Sequence, residues 1–239
     1  TKGTVRYSDL ADASARFAQA LMALGLKRGD AACVVIGRQP EWHMVLFGCM
    51  KAGVISMPGT NLLTAKDIAY RINQAGAKAV IVSPMHVEKV EDIRNDCPTL
   101  EHLIVVGAAE GDWLSFGTLC AGQDGSLAAS DVAPFKATET MMIYFTSGTT
   151  ALPKMVPRDF GYALAHAATA LFWMDLRESD THWTLTDTGW AKAAWGMLFP
   201  QMLMGCTTVL YDAAGMDALA HLNAIGDLGV TTFCAPPTV

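Results

Sequence analysis

Apolar and polar positions follow two periods along this chain, and the periods take turns. Ala31 to Ile36, Ala79 to Val82, Leu103 to Val106 and Met141 to Phe145 are almost continuously apolar. Short runs of this kind read as strands buried on both faces. Between them, apolar residues recur every third or fourth position, as on one side of a helix. Leu10, Phe17, Leu21 and Leu24 share such a side, with Ser8 as the expected cap and Gly25 as the stop. Pro40 predicts the first residue of a helix that runs to Ala52 and ends at Gly53. Thr64 with Asp67 after it opens a further helix, ending near Gly76.

The same reading predicts strands at Thr4 to Tyr7 and Val54 to Met57 and a helix from Pro84 to Asn95. From Gly107 to Thr138 the pattern dissolves into Gly, Ala, Ser and Asp around Trp113 and Leu114, as expected of a long surface connection. Alternation then resumes, with strands at 141–145, 182–186, 207–211 and 230–234. Helices are expected at about 160–174, 190–204 and 216–226. Alternation of this kind predicts the α/β class, as two parallel-sheet units with helices on both faces. The expected division gives residues 1–138 to a first subdomain, closing with the connection 107–138, and residues 139–239 to a second. Thr1 is not an initiator methionine, and Thr231 to Val239 read as a strand leaving its sheet without a closing element. The expectation is a fold incomplete at both ends, part of a longer polypeptide.

Composition narrows the class of function. Hydrophobic residues make up 51% of the 239 positions and charged residues 17%, which suits a large α/β interior. The net charge of −6, without a Lys/Arg cluster, argues against a nucleic-acid surface. Six cysteines lie scattered without C-x-x-C spacing and predict reduced, buried thiols, not a disulfide frame or zinc site. The most apolar stretch, Ala193 to Cys206, is too short to span a membrane and is interrupted by Pro200 and Gln201.

The densest chemistry follows the 141–145 run. Thr146-Ser147-Gly148-Thr149-Thr150-Ala151-Leu152-Pro153-Lys154 gathers four hydroxyls, a glycine and a lysine directly after a buried strand. Hydroxyl and backbone N–H donors on a turn, with one nearby cation, suit a polyphosphate. It is not a P-loop, which requires a second glycine beside the lysine, where Pro153 stands. No G-x-G-x-x-G follows any strand, which sets a Rossmann dehydrogenase aside.

This loop resembles the phosphate loop of the adenylate-forming superfamily, which includes acyl-CoA synthetases, luciferases and peptide-synthetase adenylation domains. One position departs, because the family has glycine where this chain has Ala151. The likeness extends through Pro40-Glu41-Trp42, Gly48 to Gly53, Met57-Pro58-Gly59-Thr60, Thr186 to Trp190 and Ala235-Pro236-Pro237-Thr238, and is nearest the medium-chain acyl-CoA synthetase branch. It implies an ATP-dependent acid–CoA ligase with ATP, Mg2+ and CoA as partners of a small carboxylic acid. It also implies that the magnesium glutamate, a ribose-binding aspartate and a small C-terminal domain with the adenylation lysine lie outside residues 1–239. The isolated chain is then expected to be inactive. A cytoplasmic enzyme of fatty acid metabolism is implied, placed in the mitochondrial matrix in a eukaryote. A non-catalytic relative that kept the fold is the alternative that Ala151 leaves open.

For phosphate binding the resemblance selects Thr146, Ser147, Gly148, Thr149, Thr150 and Lys154, with Lys154 also the catalytic candidate. The acyl pocket is expected from Trp173, Trp190, Lys192, Trp195 and Cys234, several of which follow strand ends, where open α/β sheets bind ligands. Ordinary core packing stands beside that reading for Trp173, Trp195 and Cys234. Lys192 either meets a carboxylate or plugs the pocket with its stem. His43, His166, His182 and His221 read as structural, His166 without a partner three or four residues on. No metal-ligand or triad constellation is present.

Overall fold

The computed structural model describes residues 3–127, 134–146, 152–213, 215 and 217–237. The chain opens with α1 (Tyr7–Ala23), β1 (Ala31–Val35), α2 (Pro40–Ala52), β2 (Ile55–Pro58), α3 (Ala65–Ala75) and β3 (Ala79–Val82). Then come α4 (Val87–Glu91), β4 (His102–Val105), β5 (Leu114–Ser115), α5 (Phe116–Ala121), β6 (Thr140–Thr146), β7 (Lys154–Asp159) and α6 (Phe160–Phe172). The last part holds β8 (Thr181–Thr184), α7 (Ala191–Ala193), a π-helical segment (Ala194–Leu198), α8 (Phe199–Met204), β9 (Thr207–Thr208), α9 (Ala218–Asp227) and β10 (Thr232–Cys234).

The strands form a seven-stranded sheet in the order β5-β4-β3-β1-β2-β6-β7 and a three-stranded sheet in the order β10-β8-β9. Every pairing is parallel except β6 with β7. Alternate side chains of β1 enter opposite cores. Ala32 and Val34 pack with Phe17, Leu21, Trp42, Leu46 and Phe116 of α1, α2 and α5. Cys33 and Val35 pack with Ile68 and Ile72 of α3 and Val90 of α4. Helices thus cover both faces of the larger sheet, as an α/β chain requires. Burying a side chain such as Phe17 or Ile72, both 0% exposed, contributes roughly 1.5–3 kcal/mol.

Helix ends match the local chemistry closely. Pro40 starts α2, and Gly53 stops it in the left-handed conformation. Thr64 and Asp67 form the reciprocal cap of α3.

Several expectations are corrected. Thr4 to Arg6 form no strand. The helix starts at Tyr7, with the Asp9 carboxylate accepting from the Arg6 N–H at 3.0 Å, so Ser8 lies inside the first turn. The stretch from Pro84 to Asn95 is not one helix, but α4 between two 3-10 turns at Pro84–His86 and Arg94–Asp96. Residues 107–127 are not all surface connection. They carry β5 and α5, and Trp113 is buried with its indole N–H donating to Glu91 Oε1 at 2.7 Å. β7 was not expected. The change of sheet falls after it, later than the 107–138 connection, because β6 pairs with β2 through Ser56 and Met142.

Candidate functional site

Carboxyl ends of strands from both sheets meet at one place. Beyond β1, the Ile36 carbonyl accepts from Thr188 Oγ1 at 2.6 Å, and Arg38 Nε donates to the Thr186 carbonyl at 2.7 Å. Beyond β2, Gly59 and Thr60 lie so close to Gly189 that a Cβ there would fall 2.0 Å from the Gly59 carbonyl carbon. Asp187 Oδ1 accepts from the Gly189 N–H at 2.9 Å and shapes that turn. The segment 186–190 after β8 is therefore locked against the larger sheet at its ligand-binding end.

β6, the neighbour of β2, carries the loop region. Its last residue, Thr146, sits in register with Lys154, the first residue of β7. Both are exposed. Ser147, Gly148, Thr149, Thr150 and Ala151 lie outside the described residues. The arms are antiparallel, so a hydroxyl and an ammonium stem leave neighbouring positions at the same edge of the sheet. α3 supports them. Tyr70 Oη donates to the Pro153 carbonyl at 2.8 Å, its ring meets Phe145 edge-on at 6.2 Å, and the Arg71 guanidinium stands 5.1 Å from the Phe145 ring. Tyr144, the buried neighbour on the opposite face, has its phenol pushed up by burial.

The pocket candidates divide. Trp173, at the end of α6, meets Trp195 of the π-helical segment edge-on at 5.2 Å. Lys192 Nζ lies 5.7 Å from the Trp195 ring centre and 3.5 Å from the Leu185 carbonyl. The Leu185 N–H in turn donates to the Cys234 carbonyl at 2.8 Å, which places the end of β10 beside the same turn. Trp173, Lys192, Trp195 and the Cys234 backbone are thus gathered at the end of the smaller sheet. Trp173 is 62% exposed and Trp190 is 54% exposed, and no ring contact joins Trp190 to the pair.

The histidines have partners of their own. His43 Nε2 donates to the Met197 carbonyl at 2.8 Å, and burial lowers its pKa to about 4. His182 bonds Thr232 Oγ1 and Thr184 Oγ1, at 2.7 and 2.8 Å. His221 stacks on Trp183 at 5.6 Å. His166 does have a partner three residues on, Thr169 Oγ1 at 3.2 Å, because the short hydroxyl reaches back along the helix face. Among the described residues no group of three or more His, Cys, Asp or Glu gathers as a metal site would, and no helix is long and apolar enough to cross a membrane. All six cysteines are free, five of them buried.

Sequence reading missed Tyr70, Arg71 and Arg38, since contacts across 83 or 148 positions leave no local trace. The Gly59–Gly189 contact had a signal in two glycines that each follow a strand.

A sheet with this strand order, a hairpin rising from its carboxyl edge and a second sheet folded onto that edge define an open α/β class whose ligand sites lie beyond the strand ends. The chain matches the AMP-binding enzyme family over residues 1–239 and belongs to it. It is 38% identical over 219 residues to the human mitochondrial acyl-coenzyme A synthetase ACSM4, covering 90% of this chain and 37% of that protein. With the human mitochondrial acyl-coenzyme A synthetase ACSM3 it shares 31% over 235 residues, 98% of this chain and 40% of the relative. Its fold superposes on the anthranilate CoA ligase AuaEII, solved with anthranoyl-AMP, at a TM-score of 0.88 and 26% identity, over 95% of this chain and 43% of that one. An acyl-CoA synthetase from Brucella canis gives 0.87 at 25% identity, over 100% and 43%. The chain thus spans about two fifths of the length of the relatives it matches.

Proposed function

We propose that these residues form the ATP- and acid-binding part of an AMP-forming acid–CoA ligase acting on a short- or medium-chain or aryl carboxylic acid. The observation that carries this reading is the β6–β7 hairpin, with Thr146 and Lys154 in register at the carboxyl edge of the larger sheet. A carboxylate oxygen attacks the α-phosphorus of ATP, the bond to the bridging oxygen breaks, and pyrophosphate leaves. Thr146, Ser147, Gly148, Thr149 and Thr150 donate to the departing oxygens, and Lys154 offsets the charge that builds there. The CoA sulfur then attacks the acyl carbon and AMP leaves.

Trp173 and Trp195 offer the acid an apolar slot, and the ammonium of Lys192 at its rim suits either a carboxylate or a pocket plug. Trp190 and Cys234 complete the proposed wall. The neighbour solved with an aryl adenylate supports an acid of that size class. The family resemblance that implies Mg2+ also puts its protein ligand outside residues 1–239, and that placement is part of the proposal. The adenylation lysine is placed there too, and residues 1–239 alone are proposed not to turn over. A mitochondrial site follows the relatives' names, with cytoplasm as the counterpart outside eukaryotes.

Lys154→Ala in a full-length polypeptide carrying this sequence is expected to slow acid-dependent ATP–pyrophosphate exchange by about 100-fold, roughly the effect of losing one transition-state charge partner. Unchanged exchange would overturn the assignment of the loop.

A further inference from the structure

We propose that Tyr70 is a positioning residue for the phosphate-binding hairpin, holding both of its arms from α3. This rests on the ligase reading above. The carbonyl that accepts from Tyr70 Oη belongs to the peptide unit joining Pro153 to Lys154. The phenol therefore fixes the backbone from which the Lys154 stem departs. On the other arm the Tyr70 ring packs on Phe145, the residue before Thr146, with the Arg71 guanidinium on the same ring. One side chain thus touches the neighbours of both outermost candidate phosphate contacts.

The support behind it is rigid. Ile68 and Ile72, either side of Tyr70 on α3, are 0% exposed and pack under β1. Thr64 and Asp67 cap the helix, and Arg71 Nη1 donates to the Asp67 carbonyl at 2.9 Å. A binding group holds its geometry only when such a second layer fixes it. Packing alone would be served as well by phenylalanine, so the hydroxyl is the informative part of the residue. Tyr70 need not touch nucleotide; it sets where the hairpin's donors begin.

The test uses a full-length polypeptide carrying this sequence, with Mg-ATP titrated by calorimetry and backbone exchange followed by mass spectrometry. Tyr70→Phe keeps the ring and removes one hydrogen bond. It is expected to weaken ATP binding by about 10-fold and to speed exchange across 140–159. The thermal midpoint should move by no more than about 4 °C. Tyr70→Ala, which also removes the ring contact, should weaken binding further. Unchanged ATP affinity with unchanged hairpin exchange in Tyr70→Phe overturns the proposal. So does a uniform rise in exchange across both sheets, which would mark the tyrosine as a stability residue only. A wild-type chain that takes up no ATP counts against the ligase reading instead, and the exchange comparison then still decides whether Tyr70 holds the hairpin.

Discussion

A Cβ built on Gly189 would fall 2.0 Å from both the Gly59 carbonyl carbon and the Thr60 nitrogen. Those atoms are backbone and cannot rotate away, so the turn after β8 and the end of β2 approach this closely only around a hydrogen. Gly189→Ala should therefore separate the two strand ends. Overpacking of this kind costs about 3 kcal/mol, or a fall in melting temperature of roughly 6 °C or more. Calorimetry on the purified variant would check it, and a shift under about 2 °C would show that the turn yields. Ala151 raises the reverse question. If glycine is what that position prefers, Ala151→Gly should keep or raise pyrophosphate exchange in the full-length polypeptide, and a large loss would mean that alanine is tuned to this loop.

Among the elements, the segment from Trp190 to Met204 shows what sequence can and cannot reveal. One helix was expected there. The chain forms α7, a π-helical segment and α8 instead, with Pro200 just inside α8. A wide turn is a tertiary arrangement: Gly196 presses on Thr184, where an added Cβ would meet Thr184 Cγ2 at 2.5 Å. No local periodicity encodes that contact. Gly196→Ala is expected to destabilise by about 1–3 kcal/mol, and Thr184→Ser in the same chain should recover part of it by removing the offending methyl. Strictly additive losses in denaturant melts would sink this account. β7 escaped for a different reason. Lys-Met-Val-Pro-Arg-Asp holds three charged residues and a proline within six positions, so it carries no strand pattern. It is a strand only because β6 offers it an edge, where proline is tolerated. By contrast α2 was legible to the residue, since Pro40 and Gly53 mark its ends by backbone chemistry alone. The candidate site was legible only where its residues are near neighbours in the sequence. Lys192 and Trp195 meet because they stand three positions apart across the junction of α7 and the π-helical segment, whereas Trp173 and Tyr70 arrive from distant elements.

At the scale of the molecule, His43 ties the helices over the larger sheet to those that lead into the smaller one, through the Met197 carbonyl. Its folded pKa is held at about 4 by burial, against 6.5 for the exposed group. Between those values the unfolded chain binds the proton and the folded chain does not. Stability should thus be fully present above about pH 6.5 and fall as the pH drops towards 4, by about 3 kcal/mol from this residue. His86 is shifted in the same direction, by burial first and Lys89 second. Urea melts between pH 4 and 7 on wild type and His43→Gln test this, and equal slopes for the two would rule it out. The sheet margins have a consequence of their own. β5 is two residues long, and β7 places Pro157, which has no N–H, between Lys154 and Arg158 on the outer flank. Neither border offers a long, uncharged row of donors and acceptors for a foreign chain to zip onto. The larger sheet carries its own guard against fibrillar growth at both ends.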